Sequence, residues 1–256
     1  MISYIGLAGF AFLFANKLVF PAPPPGYSDS PDLLKFTYNE EGNQVSMVFL
    51  ENKRASRLVF YHHGNGEDLQ SILQRLQVLR EMGFAVLAWD YPGYGTSDGK
   101  PSERLVNEIA RGIFNSIPEQ FGYDTREIIL YGRSVGGGPA VALAAREKVA
   151  GLILEGVFTS VFRVGIRYNI LPWDIFDNLA LIENIRCPVL FLHGSDDRVV
   201  PFSHGKALME KAPKPKFFSW FSGGGHNDLI ESYPESYYSS IRRFTEFLNE
   251  DGDSGQ

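Results

Sequence analysis

Apolar residues in this chain fall into short unbroken runs, separated by longer stretches in which apolar positions recur every three or four residues. The runs include Leu58-Val59-Phe60-Tyr61, Ile128-Ile129-Leu130-Tyr131, Gly151-Leu152-Ile153-Leu154 and Pro188-Val189-Leu190-Phe191-Leu192. Such runs, rich in β-branched and aromatic residues, read as strands buried on both faces. They predict strands at 57–62, 84–89, 127–131, 151–155, 188–192 and 216–221. The helical period falls at 67–81, 102–117, 134–147, 202–212 and 233–249. Leu34 to Asn39 and Gln44 to Glu51 read as a leading hairpin around Glu40-Glu41-Gly42-Asn43. Strands alternating with helices predict an α/β fold, with a mostly parallel sheet of about eight strands, helices on both faces and no large lid domain.

The first twenty residues break this pattern. From Ile2 to Phe20 the chain is apolar except for Ser3, Tyr4, Asn16 and Lys17, and Pro21 to Pro25 follow. A membrane helix needs about 20 apolar residues, so 1–20 is expected to be an uncleaved hydrophobic anchor. A cleaved signal peptide would call for a basic start and a small-x-small site, and a helix docked on the domain would call for a polar face. The remaining boundaries are a proline-rich linker at 21–33, the folded domain at 34–249 and a disordered tail at 250–256. The expected location is therefore a membrane, through one N-terminal segment whose orientation is open.

Composition narrows the function. A net charge of -6 over 256 residues, with no basic cluster, argues against nucleic acid as a partner. The one cysteine, Cys187, opens an apolar strand and reads as a buried hydrophobe. No metal-spaced His/Cys/Asp cluster and no phosphate-cradling Gly-Lys motif occurs, so no metal or cofactor is expected.

The chemistry centres on Gly132-Arg133-Ser134-Val135-Gly136, which joins a strand to a helix. Gly-x-Ser-x-Gly in that setting presents its serine on a strained turn at the strand's carboxyl end. A serine hydroxyl needs a base and an acid to become a nucleophile. His226, in the loop Gly223 to Asp228 after the last strand, is the candidate base. His62, His193 and His204 read as structural or solvated. Asp197, in the loop after 188–192, is the candidate acid, with its neighbour Asp196 and then Glu155, at the end of strand 151–155, as rivals. An oxyanion hole needs two aimed N–H groups. Val135 and Asn65, the latter in the turn His62-His63-Gly64-Asn65-Gly66, are the candidates.

These pieces occur together with Asp90-Tyr91-Pro92-Gly93-Tyr94-Gly95-Thr96-Ser97, His193 to Pro201, Gly225-His226-Asn227 and the pre-core Phe20 to Pro25. In order and spacing they resemble the α/β-hydrolases, and are similar to the membrane-associated branch of lipid esterases and protein depalmitoylases. The matches span about residues 17 to 249. The resemblance implies catalytic roles for Ser134, Asp197 and His226 and oxyanion roles for Asn65 and Val135. It leaves the substrate much less constrained than the mechanism. Between 156 and 186 the chain is rich in bulky apolar residues, and Phe158, Phe162 and Trp173 are the candidates for an apolar wall facing an acyl chain. The alternative for that segment is two short core-facing helices. The expected function is a serine hydrolase cleaving carboxylic esters or thioesters of apolar, small-molecule or lipid, acyl substrates. A peptidase or amidase, or a ligand-binding member of the fold, are the alternatives.

Overall fold

A computed structural model describes residues 19–30, 33–165 and 173–253. Its centre is an eight-stranded sheet in the order β1-β2-β4-β3-β5-β6-β7-β8. The strands are β1 (Leu34–Thr37), β2 (Gln44–Leu50), β3 (Leu58–His62), β4 (Ala85–Trp89), β5 (Ile128–Arg133), β6 (Gly151–Glu155), β7 (Val189–Gly194) and β8 (Lys216–Phe221). β1 and β2 pair antiparallel, as does β2 with β4, and every pairing from β4 to β8 is parallel. The α/β fold expected from the periodicity is the fold observed.

Alternation along each central strand divides the core in two. Leu58, Phe60, Leu87, Leu130 and Leu152 point to one face, where α2 (Glu103–Phe121), α3 (Gly137–Ala144) and α6 (Phe202–Lys211) cover them. Val59, Tyr61, Val86, Ile129 and Ile153 point to the other, beneath α1 (Leu69–Glu81), the short α7 (Leu229–Ser232) and α8 (Pro234–Asp253). Both faces of β3 to β6 are thereby dry, which is why their sequences are continuously apolar rather than alternating. Local signals set the helix ends. Asp68 caps α1 by accepting from Ser71 N, and Gly122 closes α2 in the left-handed region.

Some expected boundaries move. α2 continues past Pro118 to Phe121, because a proline this near the helix end forfeits one backbone bond only. The stretch expected as one helix from 134 to 147 is a 3₁₀ turn, Ser134–Gly136, followed by α3 ending at Ala144. The last helix reaches Asp253, into the expected tail. The connection from β6 to β7 carries short helices, α4 (Val161–Gly165) and α5 (Asn178–Leu181), and among the described residues no large lid is evident.

The N-terminal expectations need a correction where they can be examined. Val19 and Phe20, the end of the expected anchor, are 5% and 4% exposed and belong to the domain's core. Residues 21–30 form no free linker, since Gly26 N donates to Asp68 Oδ2 at 2.6 Å and the Tyr27 hydroxyl donates to Asp90. Residues 1–18 lie outside the described residues. Among those described, no helix is long and apolar enough to cross a membrane.

Candidate active site

Ser134 follows β5 directly and has φ 51, one of two non-glycine residues with positive φ among those described. That region is sterically costly for a residue with a Cβ, and here the turn holds it. The neighbouring backbone fits closely. A Cβ on Gly136 would collide with the carbonyl of His62, so the elbow and the loop after β3 touch main chain to main chain.

The loops after β7 and β8 bring the other two groups. His226 Nε2 lies 3.1 Å from Ser134 Oγ, and its Nδ1 lies 2.7 Å from Asp197 Oδ2. A carboxylate only accepts, so Nδ1 carries the proton and Nε2 is left to accept from the serine. Asp197 is buried, and its other oxygen accepts from Val199 N at 2.9 Å and Val200 N at 2.8 Å. Burial works to raise its carboxyl, but hydrogen bonds from His193, His226 and the Val200 backbone outweigh it and hold the group well below the usual carboxylate range. Asp196 is exposed and accepts from the Ser195 hydroxyl. The geometry thus joins Asp197, and not Asp196, to the histidine.

Glu155, the second rival, is also buried, with other partners. Its oxygens take Arg75 Nη1 at 3.0 and 3.2 Å, the Tyr131 hydroxyl at 2.5 Å and the Tyr237 hydroxyl at 2.7 Å. Arg133 Nε stands 3.4 Å away. Burial pushes this carboxyl up, yet the two guanidinium groups and two hydroxyls pull it down to about 2. Its hydrogen-bond donors are thus Arg75, Tyr131 and Tyr237, and the imidazole is not among them. Arg133 itself was not singled out by the sequence, although it is the second residue of the elbow. It ion-pairs with Glu67 at 2.7 Å and donates to the His226 carbonyl at 3.3 Å and to Asn227 Oδ1 at 2.5 Å. It therefore ties the elbow to the loop that presents His226. Neither Arg133 nor Asn227 had a sequence signal beyond adjacency to a motif residue.

The expected oxyanion donors lie at the same end of the sheet. Val135 is the residue after Ser134 and is buried, and Asn65 is exposed in the turn after β3. The Asn65 side chain accepts from the Tyr94 hydroxyl at 3.0 Å, and Gly64 N donates to Glu67. Three further histidines, His62, His193 and His204, are buried and hydrogen-bonded within the fold. His62 Nδ1 accepts from Trp89 Nε1 at 3.0 Å, and burial drives its pKa down to about 3, so it stays neutral. His193 Nε2 donates to the Val200 carbonyl, and His204 Nδ1 receives Thr159 N.

The three expected acyl-wall residues separate. Phe158 is 5% exposed and packed in the core, its carbonyl accepting from Asn178. Phe162 is half-buried, with its backbone N–H on Asp174, and Trp173 is 37% exposed. The apolar residues Ile166, Tyr168, Ile170 and Leu171 of the same segment lie outside the described residues. No group of His, Cys, Asp or Glu suited to a metal occurs among those described.

Comparison with known proteins reaches most of this chain. A family model described as Serine aminopeptidase, S33, matches residues 53–167. Alpha/beta hydrolase domain-containing protein aho-3 of Caenorhabditis elegans is 31% identical over 259 residues, covering 90% of this chain and 76% of that protein. Alpha/beta hydrolase domain-containing protein 17B of Homo sapiens is 32% identical over 219 residues, 84% of this chain and 74% of the relative. Among solved structures, the Pyrococcus furiosus esterase Pf2001 superposes with a TM-score of 0.73 at 16% identity, over 89% of this chain and 97% of that one. A Paleococcus ferrophilus monoacylglycerol lipase gives 0.62 at 24% identity, over 80% and 98%. At these identities the structural likeness concerns the fold.

Proposed function

The chain belongs to the α/β-hydrolase family, and on that premise we propose that it is a serine hydrolase of carboxylic esters or thioesters with apolar acyl groups. The observation that carries this reading is the single imidazole of His226 in hydrogen-bond reach of both Ser134 and Asp197. Ser134 Oγ attacks the acyl carbonyl carbon as His226 Nε2 takes its proton. Asp197 holds the Nδ1 tautomer and stabilises the imidazolium. The backbone N–H groups of Asn65 and Val135 receive the negative oxygen. The C–O or C–S bond then breaks, His226 returns the proton to the leaving group, and a water activated by the same imidazole releases the acid.

The description of the matching family model favours one second reading, an aminopeptidase. Such an enzyme needs a free carboxylate for the substrate ammonium. The carboxylates of Glu67, Asp90, Glu155 and Asp197 at this end of the sheet are each already engaged, which favours the ester. For the acyl group, Phe162 and Trp173 are the residues of the proposed wall that retain exposure. Residues 1–18 we take as the body of a membrane anchor, ahead of a hydrolase domain that begins at Val19 rather than at Leu34.

The test is a hydrolysis screen of acetyl and octanoyl esters, thioesters and aminoacyl anilides with full-length protein in detergent. Octanoyl substrates should be preferred, since each buried CH₂ is worth about 0.8 kcal/mol. Trp173→Ala and Phe162→Ala should weaken octanoyl turnover more than acetyl. Equal losses on both chains would remove these residues from the acyl site, and turnover confined to aminoacyl anilides would replace the esterase by the peptidase.

A further inference from the structure

The segment at 19–27 touches both the loop that carries the proposed oxyanion donor Asn65 and the 90–94 loop beside it. Phe20 packs edge-on against Tyr91 with ring centroids 6.1 Å apart, and against Phe176 at 5.9 Å. Gly26 N donates to Asp68, the residue that caps α1. The Tyr27 hydroxyl donates to Asp90 Oδ2, which is fully buried at the end of β4. Gly95 makes room for that contact, because a Cβ there would occupy the position of the Tyr27 hydroxyl.

From Asp90 and its neighbours the contacts lead directly to the loop after β3. Asp90 Oδ1 accepts from Leu69 N at 3.0 Å and lies 3.4 Å from His63 Nε2. The Tyr91 hydroxyl donates to the His63 carbonyl at 2.6 Å, and its ring stacks on the His63 ring at 4.1 Å. The Tyr94 hydroxyl holds the Asn65 side chain. Every side-chain support of residues 63 and 65 described above therefore comes from the 90–94 loop, and residues 19–27 press on that loop from outside. Burial and the nearby Asp90 both raise the Tyr27 phenol above its usual range, so it stays a donor at any physiological pH.

We propose that residues 19–27 form a strap that sets the oxyanion loop, with Tyr27 as its positioning residue acting through Asp90. The idea rests on the catalytic reading given under Proposed function.

Tyr27→Phe in the full-length chain removes one hydroxyl and keeps the ring. Direct loss of an oxyanion donor costs about 10²- to 10³-fold in kcat, so a displaced one should cost roughly tenfold, with KM unchanged. Hydrogen exchange of amides 62–66 should accelerate at the same time, with the midpoint of thermal unfolding nearly kept. Tyr38→Phe is the control. It deletes another tyrosine hydroxyl bonded near this loop, to the Asp98 carbonyl, and should leave kcat and exchange as they are. Wild-type exchange at 62–66 in Tyr27→Phe overturns the strap, as does a kcat loss shared equally by Tyr38→Phe. If wild-type protein hydrolyses no acyl substrate, the catalytic reading falls separately. Exchange at 62–66 then decides alone whether the segment orders the loop.

Discussion

Asp197 and Glu155 stand at the carboxyl ends of adjacent parallel strands, both buried and both held ionised, yet only one meets the imidazole. Asp197 spends one oxygen on two backbone N–H groups and turns the other to His226. Glu155 gives its oxygens to Arg75, Tyr131 and Tyr237 and lies beside the Arg133 guanidinium. The contrast teaches that burial and a depressed pKa do not identify a triad acid. What counts is an acceptor left over once the protein's own donors are served. It also shows two uses of buried charge, one to orient a proton and one to clamp helix α1, strand β5 and helix α8 together through Arg75, Arg133 and Tyr237.

The largest effects should break the proposed triad side of this comparison. Ser134→Ala or His226→Ala is expected to lower kcat by about 10⁴-fold or more in folded protein, because the groups act as a unit. Asp197→Asn should come close to that, about 10⁴-fold, as the imidazole is then held in the wrong tautomer. Asp196→Asn should be nearly silent. Ester turnover by purified, folded variants is the measurement, and a more damaging Asp196→Asn would reverse the assignment.

Glu155→Gln probes the other side and should separate stability from catalysis. Leaving Arg75 buried without its carboxylate, and Arg133 with Glu67 alone, should cost about 3–5 kcal/mol in urea unfolding, with kcat of the folded fraction changed far less than by Asp197→Asn. The sign with pH follows from the lowered carboxyl, about 2 when folded against an ordinary 4.5. Its stabilisation is complete above the unfolded value and is lost as pH falls through the folded one. Unfolding free energy should therefore drop with acid between those values, and drop less steeply in Glu155→Gln. An identical slope in the two proteins would mean that Glu155 is not the ionised partner of the arginines.

A smaller effect sharpens the role of the oxyanion loop. Asn65→Pro deletes the proposed N–H donor and should reduce kcat about 10²-fold. Asn65→Ala keeps that donor and loses only the bond from Tyr94, so a several-fold change is the most expected. Comparable losses in both variants, measured as kcat on one ester, would shift the role from the backbone to the side chain.

Much of this molecule was legible in its linear order. Unbroken apolar runs marked strands with both faces covered, and the helical period marked what covers them, because burial imposes those patterns locally. The elbow was legible for the same reason. Gly132 to Gly136 specifies a turn by its own residues, and His226 by its glycine-rich loop after the last strand. Tertiary structure alone decided the rest. Asp196 and Asp197 are chemically identical neighbours, and only the fold of the loop turns one toward His226 and the other to solvent. Glu155 looked available until Arg75 and Tyr237, 80 and 82 residues away in sequence, closed on it. Phe158 became core, and Val19 to Tyr27 became part of the domain, through partners no local pattern announces. Strand and turn preferences are properties of a few consecutive residues. Which donor fills which acceptor is settled by groups that meet only when the sheet has assembled.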